Sequence, residues 1–233
     1  MSHNTNSGAA NPLESHQRVS KEQREMRAPN HQTLHRPVTH GQISYDHTNA
    51  TKNFADTLSG EFSIKVNKQY FNFASAHFLI FPNGQREPLH GHNYKVSVEA
   101  HSPALFSDMV FDFLDIKPLV REICDELDHR LLLPKENDHL TINHQLNARG
   151  HSIIQIITAD GFEWQFPEAD VLLLPIPNTS SERLAQYLAR TLAERIESKF
   201  KFSFETLKVE VEETPGQSAS YLWRRPRLSH LEH

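Results

Sequence analysis

The segment from Phe71 to Ala100, FNFASAHFLIFPNGQREPLHGHNYKVSVEA, constrains the fold most, because it reads as strand, loop and strand with histidines where one strand stops and the next begins. Tyr94, Val96, Val98 and Ala100 alternate with polar residues, the period-2 pattern of a strand with one buried face. Counting back by twos places His92 and His90 on that same face, and His77, closing the preceding strand, can supply a third imidazole. Three neutral nitrogen ligands without a fourth protein ligand are the pattern of a catalytic zinc site, which keeps one position open for substrate. A His-x-His pair alone also arises in cores and on surfaces, so the assignment depends on context. Gly91, between the two histidines, is part of that context: a glycine inside a strand marks a close approach by another group.

Around this segment the chain divides by composition. Hydrophobic residues make up 37% of the 233, low for a chain that is folded throughout. Residues 1–60 are rich in Asn, His, Ser, Thr and Gln, show no helical or strand period, and are expected to form a disordered polar tail. His31, His35 and His40 in it are read as solvated residues rather than a metal-binding tract. Residues 61–224 are expected to form one domain, with 134–177 as an insertion and 225–233 as a C-terminal tail. A net charge of −5 argues against a nucleic-acid partner, since such proteins carry a basic face. The single cysteine, Cys124, excludes an internal disulfide and suits a reducing compartment. No long apolar run and no secretory-type N-terminal stretch occurs, so no membrane partner and a cytoplasmic location are expected.

Phe62, Ile64 and Val66 begin a strand that resumes as Phe71 and Phe73 with the opposite parity, which predicts a bulge or strong twist between them. Pro82-Asn83-Gly84 marks a turn before the second strand. Ile116, Leu119, Val120, Ile123, Cys124 and Leu127 form one helical stripe, with Asp112 as its N-cap and Cys124 as a packed, inert residue. Asp128 and His129 end that helix. Pro134 to Gly150 reads as polar and turn-rich. Ser152–Thr158 and Phe162–Phe166 flank the turn Ala159-Asp160-Gly161 as an added hairpin, followed by a short strand at Val171–Leu174. His139, His144 and His151 are irregularly spaced and read as solvated. Thr179 with Glu182 is expected to cap a second helix whose buried face carries Leu184, Tyr187, Leu188, Leu192 and Ile196. Leu207, Val209, Val211 and Glu213 alternate along a further strand, which puts a carboxylate on the buried parity at its end, a costly position unless it is paired. Ser218 to Trp223 returns as the last strand.

FNFASAH followed by LHGHNYKVSVEA resembles the 6-pyruvoyl-tetrahydropterin synthase and 6-carboxy-tetrahydropterin synthase family, and LDHRLLLP and VEVEETPGQSASYL are similar to two further family segments. The resemblance covers roughly residues 61–133 and 176–224. It implies an α+β tunnelling fold (T-fold), two antiparallel β-hairpins with two helices on one face plus the inserted hairpin, assembled as a homo-oligomer, a hexamer, with pockets completed by neighbours. It implies Zn2+ on His77, His90 and His92, an acid and base pair at Asp128 and His129, and a pterin held by Glu213 with Thr214 and Ser180. Family members carry a catalytic cysteine shortly before His-Gly-His, but here the loop reads Gly84-Gln85-Arg86-Glu87-Pro88-Leu89. Members of altered activity use a glutamate there, cleaving dihydroneopterin triphosphate to 6-hydroxymethyl-dihydropterin, so Glu87 becomes the candidate base. The plainer reading of that loop is a solvated Arg86–Glu87 ion pair. The implied activity is a zinc-dependent lyase acting on the side chain of 7,8-dihydroneopterin triphosphate; the alternative is a non-catalytic zinc- and pterin-binding or assembly module.

Overall fold

Strands β1 (Phe62–His77) and β2 (His90–Ser102) pair antiparallel, bringing Ser75 opposite His92, Ala76 opposite Gly91 and His77 opposite His90. The computed structural model describes residues 60–226; the polar tail with His31, His35 and His40, and the last residues 227–233, lie outside them. The expected bulge is present, as the register slips between Asn67 and Asn72. Val66 before the slip and Phe71, Phe73 and His77 after it are all buried, despite the change of parity.

The remaining elements are α1 (Phe113–Leu127), β3 (Arg130–Pro134), β4 (Leu140–Leu146), β5 (Ser152–Thr158), β6 (Glu163–Pro167), β7 (Val171–Leu174), α2 (Ser181–Phe200), β8 (Thr206–Thr214) and β9 (Gln217–Arg224). Six strands form one sheet in the order β7-β3-β1-β2-β8-β9, and β4-β5-β6 form a second sheet of three. The two expected hairpins are β1–β2 and β8–β9, joined side by side through β2 and β8.

Helix α1 starts where Asp112 accepts the Leu114 N–H at 2.7 Å, as a helix N-cap should. Its buried stripe is the one read from the sequence, Ile116 through Leu127. Burial pushes the Cys124 thiol up to about 12, which leaves it a small apolar packing group. Both helices pack with Val96, Val98, Val209 and Val211 in one core. Each large apolar side chain in it contributes about 1.5–3 kcal/mol by burial.

A second core lies on the other parity of β3 and β7. Leu131, Leu133 and Val171 meet Ile154 and Ile156 of the small sheet, together with Phe78 and Ile80 from the loop after β1. The small sheet therefore packs against β3, β7 and the loop between β1 and β2.

Two expectations need correction, and one strand is unforeseen. Arg130–Pro134 forms a parallel strand beside β1, and Leu140–Leu146 forms β4 inside a stretch read as turn-rich. The N-cap of α2 is Ser180, whose hydroxyl accepts the Arg183 N–H at 3.4 Å, and not Thr179. Thr179 is fully buried, and its hydroxyl instead donates to the Phe78 carbonyl at 2.9 Å. The short strand expected at Val171–Leu174 is present and joins the edge of the main sheet. No helix of the described residues is long and apolar enough to cross a membrane.

Candidate metal and pterin site

His77 ends β1, and His90 and His92 begin β2 directly across from it, so the pairing register gathers the three rings. One nitrogen from each lies within 4.8 Å of the others, the one such group of three metal-ligating residues found among the described residues. Gly91 earns its place by closeness: a Cβ there would stand 3.0 Å from the Ser75 carbonyl oxygen across the pair of strands.

The donor set fits a zinc ion. His77 donates its Nδ1–H to the Thr179 carbonyl at 3.0 Å, and His90 donates to the Pro88 carbonyl at 2.8 Å. A carbonyl only accepts, so both rings keep a lone pair on Nε2, the arrangement that second-shell partners impose on metal-binding histidines. Burial lowers the pKa of His77 below its ordinary 6.5, overriding the opposing effect of the Thr179 bond, and favours the neutral form a metal requires.

Glu213, at the end of β8, turns its carboxylate to the same point. Its Oε1 lies 3.3 Å from Nε2 of His77 and 3.4 Å from Nε2 of His92. The Tyr94 hydroxyl donates to Glu213 at 3.3 Å and lies 3.0 Å from His77 Nε2. Burial and the neighbouring carboxylate raise the tyrosine pKa, so the phenol stays a donor. From the sequence, Tyr94 is only a buried strand residue. The available signal was a tyrosine on the ligand parity whose hydroxyl, once buried, must find a partner.

Ser180 and Glu213 line one cavity of about 250 Å³ with Leu79, Ser181, Glu182 and Gln217. Thr214 is half-buried, one residue beyond Glu213 and opposite Gln217. A larger cleft of about 610 Å³ lies over the bulge in β1, lined by Lys68, Lys95, Glu210 and Glu212, and includes none of the three histidines.

Glu87 sits in the loop between β1 and β2. Its N–H donates to the Leu79 carbonyl at 2.8 Å while its Oε2 accepts the Leu79 N–H at 3.4 Å. The same Oε2 lies 3.9 Å from His90 Nδ1, bringing Glu87 beside the histidine group. Arg86 is not its ion-pair partner: the guanidinium faces Asp160, and its side chain is only 16% exposed. The reading of a solvated Arg86–Glu87 pair therefore fails.

Asp128 and His129 follow α1 and bond to β1. Asp128 accepts the Ala74 N–H at 2.7 Å, and the His129 N–H donates to the Ala74 carbonyl at 2.7 Å, so consecutive residues clasp both backbone groups of one β1 residue. Nδ1 of His129 is 2.9 Å from Oδ2 of Asp128, and the His129 side chain is 83% exposed. His129 holds a left-handed φ of 57°, a conformation uncommon outside glycine. His129 and Arg130 border an open cleft with Gly91 and His92. His144 pairs with Glu168 at 3.0 Å, in keeping with a surface role.

The chain is similar to several known proteins. A family model described as 6-pyruvoyl tetrahydropterin synthase matches residues 65–223. A Methanocaldococcus jannaschii protein with the provisional name 6-carboxy-5,6,7,8-tetrahydropterin synthase is 36% identical over 150 residues, 64% of this chain and 88% of that one. The 6-carboxy-5,6,7,8-tetrahydropterin synthase of Haemophilus influenzae is 32% identical over 105 residues, 41% of this chain and 74% of its own. Among solved structures, 6-pyruvoyl tetrahydropterin synthase from Plasmodium vivax superposes with a TM-score of 0.64 at 33% identity, covering 71% of this chain and 99% of that one. The same Plasmodium vivax protein is also solved as a catalytic-residue mutant in which a glutamate is replaced by alanine.

Proposed function

This chain belongs to the 6-pyruvoyl tetrahydropterin synthase family, and from that premise we propose that it is a zinc-dependent lyase that cleaves the side chain of 7,8-dihydroneopterin triphosphate and releases 6-hydroxymethyl-dihydropterin. The observation that carries this reading is the gathering of His77, His90 and His92 with the Glu213 carboxylate 3.3 Å from Nε2 of His77, while Glu87 stands beside the group, 3.9 Å from Nδ1 of His90.

Zinc held by the three histidines supplies Lewis-acid polarisation of a side-chain oxygen. The residues of this chain do the rest. Glu213 accepts hydrogen bonds from the amino-pyrimidinone edge of the pterin, with Ser180 and Thr214 beside it in the same pocket region. Tyr94 fixes the Glu213 carboxylate by donating to it. Glu87 takes the proton of the side-chain hydroxyl on C2′; the C1′–C2′ bond then breaks as that oxygen becomes a carbonyl, the two-carbon aldehyde bearing the triphosphate departs, the electron pair of the broken bond passes into the conjugated C6=N5 unit of the ring, and reprotonation at C1′ leaves the hydroxymethyl group. A glutamate as base agrees with the Plasmodium vivax protein, whose mutated catalytic residue is a glutamate, and with the absence of cysteine from residues 84–89.

Asp128 and His129 serve as the acid and base pair that returns protons. His129 borders an open cleft with His92 of its own chain; assembly as a homo-oligomer, a hexamer, with pockets completed by neighbours, is part of the same proposal and follows the family. A cytoplasmic location fits the single buried cysteine. The domain is taken as residues 61–224, with 134–177 inserted and with tails at 1–60 and 225–233.

A second reading is formation of a 6-carboxy-tetrahydropterin, favoured by the names of the Methanocaldococcus jannaschii and Haemophilus influenzae relatives. Incubating the full chain with 7,8-dihydroneopterin triphosphate, with and without chelator, and identifying products by mass spectrometry decides between them. A hydroxymethyl product that chelator abolishes supports the lyase reading; a carboxy product selects the second; tight binding without turnover overturns both in favour of a binding module.

A further inference from the structure

The loop that carries Glu87 does not stand free: the tip of the β5–β6 hairpin holds it at three places. The Arg86 guanidinium carbon lies 4.5 Å from the ring centroids of both Phe162 and Trp164, and Nε is 3.6 Å from Oδ2 of Asp160. Gly84, at a φ of +80°, turns the loop against Ala159, where a Cβ on the glycine would come within 3.3 Å of the alanine Cβ. Trp164 also packs on Phe78, the buried residue next to His77, with centroids 5.5 Å apart. Arg86 Nε is buried without a hydrogen-bond partner, so the aromatic faces and the Asp160 carboxylate are what offset its burial.

Arg86 reaches the candidate base through the backbone. Its side chain donates to the Glu87 carbonyl at 3.3 Å, and Arg86 bridges to Ile80. The next bond in the loop is the clasp in which Glu87 exchanges backbone and carboxylate hydrogen bonds with Leu79. A planar guanidinium can lie on aromatic rings while its edge donates elsewhere, whereas a lysine ammonium is a point charge on a flexible stem.

We infer that Arg86, seated on Phe162 and Trp164 of the inserted sheet, is a positioning residue that sets the Glu87 carboxylate against His90. The inserted β4-β5-β6 sheet is thereby the frame of the loop that bears the base. The catalytic part of this inference rests on the reading of Glu87 as base; the positioning part does not.

Two variants test it. Arg86→Met keeps much of the length and loses the charge and the donors, and Asp160→Asn loosens the arginine from outside the loop. Amide hydrogen exchange on the full chain reads the positioning: exchange at Leu79 and Glu87 is expected to speed up about tenfold or more in Arg86→Met, while β1 and β5 amides keep wild-type protection. Unchanged exchange at those two amides overturns the inference whatever the activity. Kinetics read the consequence: Arg86→Met is expected to lower kcat by about 10- to 100-fold, the scale of a misplaced catalytic group, with KM and bound zinc close to wild type. Asp160→Asn should shift both readouts in the same direction by less, and Arg86→Lys should recover part of the loss. In a Glu87→Gln background the Arg86→Met loss should disappear, since a residue acting through Glu87 has nothing left to position. A loss that persists undiminished there overturns the inference and leaves Arg86 a purely structural residue. Faster loop exchange in Arg86→Met, alongside a wild type that turns over no pterin, would sink the proposed function and leave the positioning role standing.

Discussion

His77 donates its Nδ1–H to the carbonyl of Thr179, 3.0 Å away and 102 positions later in the chain. This bond ties the last residue of β1 to the turn that starts α2. A candidate metal ligand and the wall of the pocket beside Ser180 are thus fastened together before any ligand arrives.

Metal content is the first consequence. Purified wild type is expected to bind about one zinc per chain, and His92→Ala about none, because a three-ligand site loses its hold when one ligand is removed. Elemental analysis after dialysis against a mild chelator reads this. Equal stoichiometry in the two proteins would remove the histidine group as the metal site.

Glu213→Ala is expected to raise KM for a dihydropterin substrate by about tenfold or more, the scale of a lost charge-assisted hydrogen bond. Tyr94→Phe keeps the ring stacked on Phe73, 4.7 Å between centroids, and removes only the donor to Glu213. It should give a smaller effect in the same direction. Fluorescence titration with a pterin measures both, and unaltered affinity in Glu213→Ala would dismiss the anchor.

Asp128 carries a pH dependence whose sign follows from its contacts. Burial pushes its carboxyl pKa up, but the Ala74 N–H bond and His129 outweigh that and leave it below the ordinary 3.8. The stabilisation is therefore complete above the ordinary value and is lost as pH falls through the depressed one. Asp128→Asn should lose about 1–2 kcal/mol at pH 7, and its difference from wild type should shrink toward pH 2. Urea midpoints at the two pH values check this; a difference that does not change with pH would contradict it.

Gly91→Ala tests the strand register directly. The added methyl would meet the Ser75 carbonyl at 3.0 Å, a backbone atom that cannot rotate away. We expect a cost of about 1–3 kcal/mol and a loss of zinc out of proportion to the loss of fold. A variant with wild-type metal affinity would show that the two strands can part there without moving the histidines.

Much of this was legible in the chain, and the parts that were not share a physical cause. His90 and His92 were placed by the two-residue period, and His77 by where its strand ends. The α1 stripe was plain because Ile116 through Leu127 face one way. Arg130–Pro134 was missed as a strand because a short apolar run after a helix has no period of its own to declare it. β4 was missed because only Leu140 and Ile142 mark its half-buried face and the rest of Leu140–Leu146 is exposed. The helix cap shifted by one residue because a Thr-Ser-Ser run offers adjacent hydroxyls, and tertiary packing gave that of Thr179 to Phe78. The seat of Arg86 on Phe162 and Trp164 joins residues more than seventy positions apart, which no local pattern encodes.

The slip in β1 sets the phase of the whole site. From Asn67 to Asn72 the strand advances five residues while its partner moves two, from Ser97 to Lys95. The odd surplus exchanges inward and outward positions, so the even-numbered Val66 and the odd-numbered Phe71, Phe73 and His77 all reach the buried face. Upstream of Asn67, gain or loss of a residue would leave the downstream count intact. Between Asn72 and His77 a single insertion would turn the imidazole away from His90 and His92. The segment thus works as a vernier: a change of length before the slip leaves the count from Asn72 to His77 as it is, and after it that spacing must stay fixed for the site to exist.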